Sequence, residues 1–267
     1  MNAIRPPAVA GMFYPASAAG LRADVDRLLA AAPANTMMQQ PKALIVPHAG
    51  YVYSGPTAAR AYATLAPWRA TIRRVVLLGP THRVPVRGLA LPASEAFATP
   101  LGEVRVDAAA RAALAGLPQI VVSETAHAQE HSLEVHLPFL QRALDDFSLL
   151  PLAVGHATPE NVAEVLERLW GGPETLLVIS SDLSHFLPYA TAQQVDGETC
   201  RHILDLATDI DPHQACGAFP VNGLLLAAQR HGLRPTLLDL CNSGDTAGDR
   251  QRVVGYAAFA FHEADHG

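Results

Sequence analysis

The chain has 267 residues, of which 49% are hydrophobic and 16% are charged. This composition supports a sizeable core and argues against an intrinsically disordered chain. The net charge of −6, without any run of Lys or Arg, argues against a nucleic-acid partner. No apolar stretch reaches the ~18 residues that suggest a membrane span. Residues 1–20 lack the basic and then apolar pattern of a signal peptide, so we expect a cytoplasmic protein.

Helices and strands alternate along most of the chain. Leu21, Val25 and Leu28 recur at the spacing of one helix face. Thr158 followed by Pro159 is typical of a helix start. Continuous apolar runs indicate strands that are buried on both faces of a sheet. In chain order, the predicted elements are helix 18–32, strand 43–46, helix 56–65, strand 75–78, short strands 89–91 and 104–106, helix 108–114, strand 120–122, helix 132–144, strand 149–154, helix 158–170, strand 175–179, helices 191–206 and 220–229, and strands 236–240 and 253–261.

This alternation predicts an α/β fold, with a central mostly parallel or mixed sheet flanked by helices. Segment 253–261 is expected to run antiparallel to its neighbours, which would make the sheet mixed. The sequence contains no internal repeat, no low-complexity stretch and no convincing domain boundary. We therefore expect a single domain over 1–267.

Three of the predicted buried strands are each followed by a histidine. His48 follows the first of them, His82 follows the second, and Asp182 and His185 follow the third. Ligands of open α/β sheets bind outside the carboxyl ends of the strands. Neutral imidazole is a common protein ligand for zinc, iron and copper. We therefore predict that these side chains share one site, with a metal ion, at one edge of the sheet.

The three cysteines are candidates for either the core or the metal site. Cys200, Cys216 and Cys241 have no C-x-x-C spacing, so a disulfide framework is not expected. Cys216 precedes a predicted helix, and a helix N-terminus lowers the pKa of a thiol, which favours a thiolate ligand. Cys241 follows a predicted strand and is the alternative ligand. Cys200 falls inside a predicted helix and is expected in the core.

The segment Glu-His-Ser-Leu-Glu-Val-His-Leu-Pro (130–138) is dense in metal-ligating groups. Its spacing is not H-E-x-x-H, so a zincin metalloprotease is not indicated. His131, just before a predicted helix, is the best candidate here to reach the shared site. The alternative is a capped helix start with satisfied polar groups. Six further histidines are expected at the surface, namely His127, His202, His213, His231, His262 and His266.

Several motifs, in order along almost the whole chain, resemble the Memo family, whose bacterial members are called AmmeMemoRadiSam system protein B. They include Val-Pro-His-Ala-Gly-Tyr at 46–51 and the segment at 130–138. The other matching segments are 10–15, 52–55, 78–82, 180–185, 216–217 and 256–258. Several long motifs in the right order are far more specific than one short pattern.

The resemblance implies a fold similar to that of class III, LigB-like extradiol dioxygenases, which are non-haem iron enzymes. It also implies a metal site of two histidines and one cysteine, which in this sequence are His48, His82 and Cys216. Asp182 and His185 match the remaining positions of the pocket. The resemblance thus favours Cys216 over Cys241. A thiolate ligand favours iron, copper or zinc.

The leading hypothesis is therefore a metal-dependent oxidoreductase that holds an iron or copper ion, with zinc as an alternative. His185 is expected to act as the general acid/base, and Asp182 to orient His185 or a metal ligand. His131 and Glu134 are expected to line a pocket that takes a small molecule or a peptide.

The alternative hypothesis is a non-catalytic module that binds a metal or a peptide. The bacterial family name suggests a radical enzyme as its partner, and animal members are associated with signalling through phosphotyrosine peptides. His185 separates the two hypotheses, because a binding module needs no acid/base beside its metal. A third possibility is that the histidines only satisfy buried polar groups at a loop-rich edge.

Overall fold

The structure is a computed structural model that describes residues 4–33 and 39–263. These residues form twelve strands, which are β1 (Ile4–Arg5), β2 (Ala43–Val46), β3 (Arg74–Pro80), β4 (Leu89–Leu91), β5 (Ala96–Thr99), β6 (Gly102–Arg105), β7 (Ile120–Val122), β8 (Ser148–Val154), β9 (Thr175–Ser180), β10 (His185–Leu187), β11 (Leu233–Asn242) and β12 (Val253–Glu263). Within the same residues, the α-helices are α1 (Ala18–Ala31), α2 (Tyr51–Ala63), α3 (Ala108–Ala113), α4 (Glu124–Ala128), α5 (Leu137–Ala143), α6 (Pro159–Arg168), α7 (Tyr189–Leu204), α8 (Ala218–His231) and α9 (Ser243–Thr246).

Nine strands form one mixed sheet, in the order β10-β12-β2-β9-β3-β8-β4-β7, with β11 paired to β12. The centre of the sheet is parallel, because β9 pairs with both β2 and β3, and β3 pairs with β8. Strand β12 runs antiparallel to β2, as predicted for the last segment. A second, small sheet has the order β1-β5-β6. The predicted α/β class with a mixed, mostly parallel sheet flanked by helices is confirmed.

Burial explains why the central strands read as continuous apolar runs. Every residue of β2 and β9 is buried, as are all but the first residue of β3 and β8. A strand covered by helices on both faces has no solvent side, so its residues do not alternate between apolar and polar. None of the helices in the described ranges is both long and apolar enough to cross a membrane.

Local sequence fixes the position of the helices that pack on the sheet. Thr158 caps α6 by accepting the backbone N–H of Asn161, whose side chain completes a capping box. Gly223 in α8 faces Val162 in α6 so closely that an added Cβ would lie 2.3 Å from that side chain. A glycine is therefore needed where these two helices cross.

Two predicted helices differ from the structure near the candidate site. Helix α2 begins at Tyr51, five residues before Pro56, because Tyr51 is buried and its hydroxyl donates to the carbonyl of Val135 at 2.7 Å. The segment predicted as helix 132–144 contains a 3-10 turn at Glu134–His136 followed by the short helix α5. In the first place a tertiary contact accompanies the earlier helix start, whereas in the second Pro138 is excluded from a helix interior and occupies the first turn of α5.

Candidate metal centre

The predicted site residues follow three adjacent strands of the sheet. His48 lies two residues beyond β2, Asp182 two residues beyond β9, and His82 two residues beyond β3. Because β9 lies between β2 and β3 and all three run parallel, their carboxyl ends meet at one edge. The backbone N–H of His48 donates to Oδ1 of Asp182 at 2.7 Å, which joins two of these loops directly.

Three imidazoles converge at this edge. Ligand atoms of His48, His82 and His131 all lie within 4.8 Å of one another. The ring centroids of His48 and His82 are 5.1 Å apart, and those of His82 and His131 are 4.6 Å apart. This arrangement can hold a metal ion. His131 comes from the loop between α4 and the 3-10 turn, so its arrival at the strand ends is a tertiary effect.

The cluster is closed on one side and open on the other. The side chain of His48 is 2% exposed, that of His131 is 17% exposed and that of His82 is 30% exposed. A ligand would therefore enter from the side of His82. The ring of Phe13 packs on His131 with centroids 4.8 Å apart and forms part of the wall.

Cys216 lies just before the start of α8 and contacts the cluster through His48. Its Sγ lies 3.3 Å from Nε2 of His48 and 3.7 Å from the carbonyl oxygen of Asp182. The neighbouring Gly217 permits this approach, because an added Cβ there would lie 2.5 Å from the carbonyl oxygen of Ser180. The structure thus places one thiol in contact with His48, the most buried of the three imidazoles.

Glu130 organises two of the imidazoles and was not singled out from the sequence. Its Oε1 lies 2.9 Å from Nδ1 of His82 and 3.3 Å from Nδ1 of His131. The second contact is an ion-pair distance without hydrogen-bond geometry, since that nitrogen has no hydrogen-bond partner. The carboxylate also accepts the backbone N–H groups of His82, His131 and Ser132. A carboxylate behind a ligating histidine is a common feature of metal sites, and could have been found by seeking an acid beside His131.

Glu134 lies apart from the cluster. Its fully buried carboxylate forms an ion pair with Arg5 and accepts hydrogen bonds from the Tyr14 hydroxyl at 2.5 Å and the Val9 N–H at 3.0 Å. The N–H of Ala8 also donates to it, at 2.7 Å. These contacts attach the N-terminal segment to the rest of the molecule.

Comparison with known proteins identifies the family. The sequence profile described as "Memo-like protein" matches residues 5–260. The chain belongs to the Memo-like protein family. It is 37% identical over 271 residues to a "MEMO1 family protein" of Aquifex aeolicus, covering 97% of this chain and 99% of that protein. It is 36% identical over 272 residues to a "MEMO1 family protein" of Methanosarcina mazei, covering 96% of this chain and 98% of that protein.

A solved structure shares the fold of this Memo-like chain. It is titled "Crystal structure of uncharacterized protein JW3007 from Escherichia coli K12". The TM-score is 0.53 at 15% sequence identity, with 83% of this chain and 99% of that chain covered. This similarity concerns the fold alone.

The electrostatics of the Memo-like site favour neutral imidazoles. Burial, followed by the neighbouring His82 and His131, holds the pKa of His48 well below 6.5. Burial also lowers the pKa of His131 to about 4. A neutral imidazole has a free nitrogen lone pair and carries no charge that would repel a cation. The donor set therefore fits a transition-metal ion.

The acidic and thiol groups beside the histidines are also shifted. Burial raises the pKa of Asp182 to about 7, against the lowering effect of the N–H groups of His48 and Ala49. Burial, with the nearby Asp182, raises the pKa of the Cys216 thiol above its usual value. These effects outweigh the lowering of the Cys216 pKa that was expected from the start of α8. A bound cation would favour the thiolate.

His185 begins β10, a three-residue strand that the sequence did not predict. It pairs with Val254 of β12, and burial lowers the pKa of its half-buried imidazole. The next residue, Phe186, has a φ of +61°, which is unusual for a bulky side chain.

Other histidines and cysteines lie outside the cluster. The expected surface position is wrong for His127 and His262, which are 1% and 6% exposed. Residue His266 lies outside the described ranges. Cys200 is buried in α7, as predicted for a core residue. Cys241 contacts the hydroxyl of Thr57, with Sγ and Oγ1 3.1 Å apart.

Proposed function

We propose that this Memo-like protein binds a transition-metal ion, iron or copper, through His48, His82 and Cys216. The proposal is supported by the convergence of ligand atoms of His48, His82 and His131 within 4.8 Å of one another, with Sγ of Cys216 3.3 Å from Nε2 of His48. His131 would be a fourth donor, since its ligand atom lies within 4.8 Å of those of His48 and His82. A mixed set of imidazole and thiolate ligands suits iron, copper and zinc, and does not suit magnesium or calcium.

We further propose that the site is that of an oxidoreductase acting on a small organic molecule. The metal would supply redox and Lewis-acid chemistry. His185 would accept and return a proton, because its lowered pKa leaves the imidazole neutral and able to act as a base. Asp182 would hold the His48 loop in place through the backbone N–H of His48. The partial exposure of His82 leaves access for the substrate.

Metal content tests the proposal. The protein is purified without a histidine tag, and its bound iron, copper and zinc are measured beside those of a His48→Ala/His82→Ala variant. A His202→Ala/His231→Ala variant is the matched control, because neither ring belongs to the cluster. We expect metal in the wild type and the control, and loss of metal in the cluster variant. Equal metal in all three proteins would overturn the metal site.

A non-catalytic binding module is the second candidate, with a peptide or a partner protein such as a radical enzyme as its ligand. Exposed apolar side chains beside the site favour it, because Val52 is 65% exposed and Phe186 is 60% exposed. Oxygen consumption with catechol and thiol substrates separates the two functions. Turnover that is lost in His185→Ala while the metal is retained supports the enzyme. Absence of turnover in the metal-loaded wild type supports the binding module.

A further inference from the structure

A buried hydroxyl lies directly behind the most buried imidazole of the cluster. Ser180, the last residue of β9, has no exposed surface. Its Oγ lies 2.6 Å from the carbonyl oxygen of Ser132, 2.6 Å from Nδ1 of His48 and 2.8 Å from Nε2 of His136. One oxygen atom therefore has three hydrogen-bond partners.

The number of available protons determines which group donates in each of these hydrogen bonds. A hydroxyl group has one proton to donate and can accept two hydrogen bonds. The carbonyl of Ser132 can only accept, so the proton of Ser180 is used there. Both imidazoles must then donate to Ser180. His48 consequently carries its proton on Nδ1, which leaves the lone pair on Nε2, the nitrogen that lies 3.3 Å from Sγ of Cys216.

The hydrogen bonds of His136, one residue further from the site, agree with this assignment. If His136 donates from Nε2, its neutral ring must accept at Nδ1. The hydroxyl of Tyr62 lies 2.8 Å from that nitrogen and supplies the donor. Tyr62 is fully buried and its ring stacks on Phe139, with centroids 5.3 Å apart, so the donor is held in place. Every member of the chain from Tyr62 to His48 is satisfied by one proton arrangement.

We propose that Ser180 is a positioning residue that fixes His48 as the Nδ1-protonated tautomer and thereby presents Nε2 to the metal ion, with His136 and Tyr62 holding the hydroxyl in place. The part that concerns metal rests on the proposed function, whereas the tautomer is a property of the metal-free chain. His82 is held by its Nδ1 in the same way, through a carboxylate. The two ligands would thus be oriented by different groups, a hydroxyl and a charged oxygen.

The test compares Ser180→Ala with Thr199→Val in two measurements. Thr199 also has a fully buried hydroxyl, which donates to the carbonyl of Val195 and touches no histidine. Nitrogen-15 NMR of the imidazole rings in the metal-free protein reports the tautomer, with the His48 signals assigned by their loss in His48→Ala. Titration with Zn²⁺ alone, in competition with a chelator, reports the dissociation constant.

We expect an Nδ1-protonated His48 in the wild type and in Thr199→Val. In Ser180→Ala, the tautomer is expected to shift and Zn²⁺ to bind about 10- to 100-fold more weakly. An Nε2-protonated His48 in the wild type would overturn the proposal even if Ser180→Ala does not fold. Weaker binding in Ser180→Ala with an unchanged tautomer would overturn it too. If the wild type and Ser180→Ala show the expected tautomers but the wild type binds no Zn²⁺, the role of Ser180 is supported and the metal function is overturned.

Discussion

Oε1 of Glu130 lies 2.9 Å from Nδ1 of His82, and the Glu130 side chain is only 1% exposed. This contact places a buried negative charge behind an imidazole whose other nitrogen is free for a ligand. The neighbouring His82, together with several N–H donors, lowers the pKa of Glu130 to about 2 despite the opposing effect of burial. The carboxylate is therefore ionised at neutral pH, and its contact with Nδ1 fixes the ring of His82.

Replacing Glu130 by Gln should weaken metal binding without removing any metal ligand. The amide keeps the size of the side chain but loses the charge that faces His82 and His131. We expect Zn²⁺ to bind about 10- to 100-fold more weakly, as is typical for the loss of a carboxylate behind a ligating histidine. Competition with a chelator of known affinity measures the change.

Glu134→Gln is the matched control for that experiment. Glu134 is equally buried, but its partners are Arg5, Tyr14 and N–H groups of the N-terminal segment. The variant should unfold about 3–5 kcal/mol more easily, because Arg5 loses its charged partner. Its folded form should bind Zn²⁺ as the wild type does. If both variants lost affinity equally, Glu130 would have no special role at the metal.

Cys216→Ser should change the optical spectrum of the cobalt-loaded protein. A thiolate bound to Co²⁺ gives an intense near-ultraviolet charge-transfer band, which an alcohol ligand does not give. We expect the band in the wild type and in Cys241→Ser, because Cys216 contacts His48 whereas Cys241 contacts Thr57. We expect its loss in Cys216→Ser. A band that persists in Cys216→Ser would contradict thiolate ligation by that residue.

The sequence predicts the strands of this site better than the groups that orient its histidines. His48 and His82 follow continuous apolar runs, and this pattern survives because buried parallel strands have no polar face. Ser180 and Glu130 leave no such pattern. Each is one polar residue whose role depends on a partner far away in sequence, for example the 132 positions between Ser180 and His48. Contacts of this kind are set by packing, which has no periodic signal along the chain.

Gly217→Ala should disturb the site through the backbone. The added Cβ would lie 2.5 Å from the carbonyl oxygen of Ser180 and 2.6 Å from Cβ of Ser181, so the loop carrying Cys216 must move. We expect a loss of about 1–3 kcal/mol of stability, as for other overpacked positions, and weaker metal binding. Urea unfolding and Zn²⁺ titration measure the two effects.

Gly197→Ala is the control for this substitution, because Gly197 lies in α7 and an added Cβ would meet no atom within 4 Å. The control should be more stable than the wild type by about 1 kcal/mol, since alanine favours a helix over glycine. Its metal affinity should be unchanged. If Gly217→Ala also binds Zn²⁺ as tightly as the wild type, then either Cys216 still reaches the metal from a displaced loop or Cys216 is not a ligand.

His127→Gln should make the stability of the protein less sensitive to acid. His127 is 1% exposed, its Nε2 lies 2.8 Å from the carbonyl oxygen of Ala90, and burial lowers its pKa from 6.5 to about 4. Between these pH values the unfolded chain binds a proton at this position and the folded protein does not. The free energy of unfolding therefore falls as the pH drops from 6.5 to about 4, by about 3 kcal/mol from this group.

Glutamine has no such titration, so the variant should lose less stability over the same pH range. The slope of unfolding free energy against pH should become shallower by about one proton, while other buried histidines such as His136 keep the remaining dependence. Urea unfolding at several pH values from 4 to 6.5 measures both curves. Parallel curves of unfolding free energy against pH for the two proteins would contradict this prediction. They would mean that His127 binds the proton equally in the folded and unfolded states.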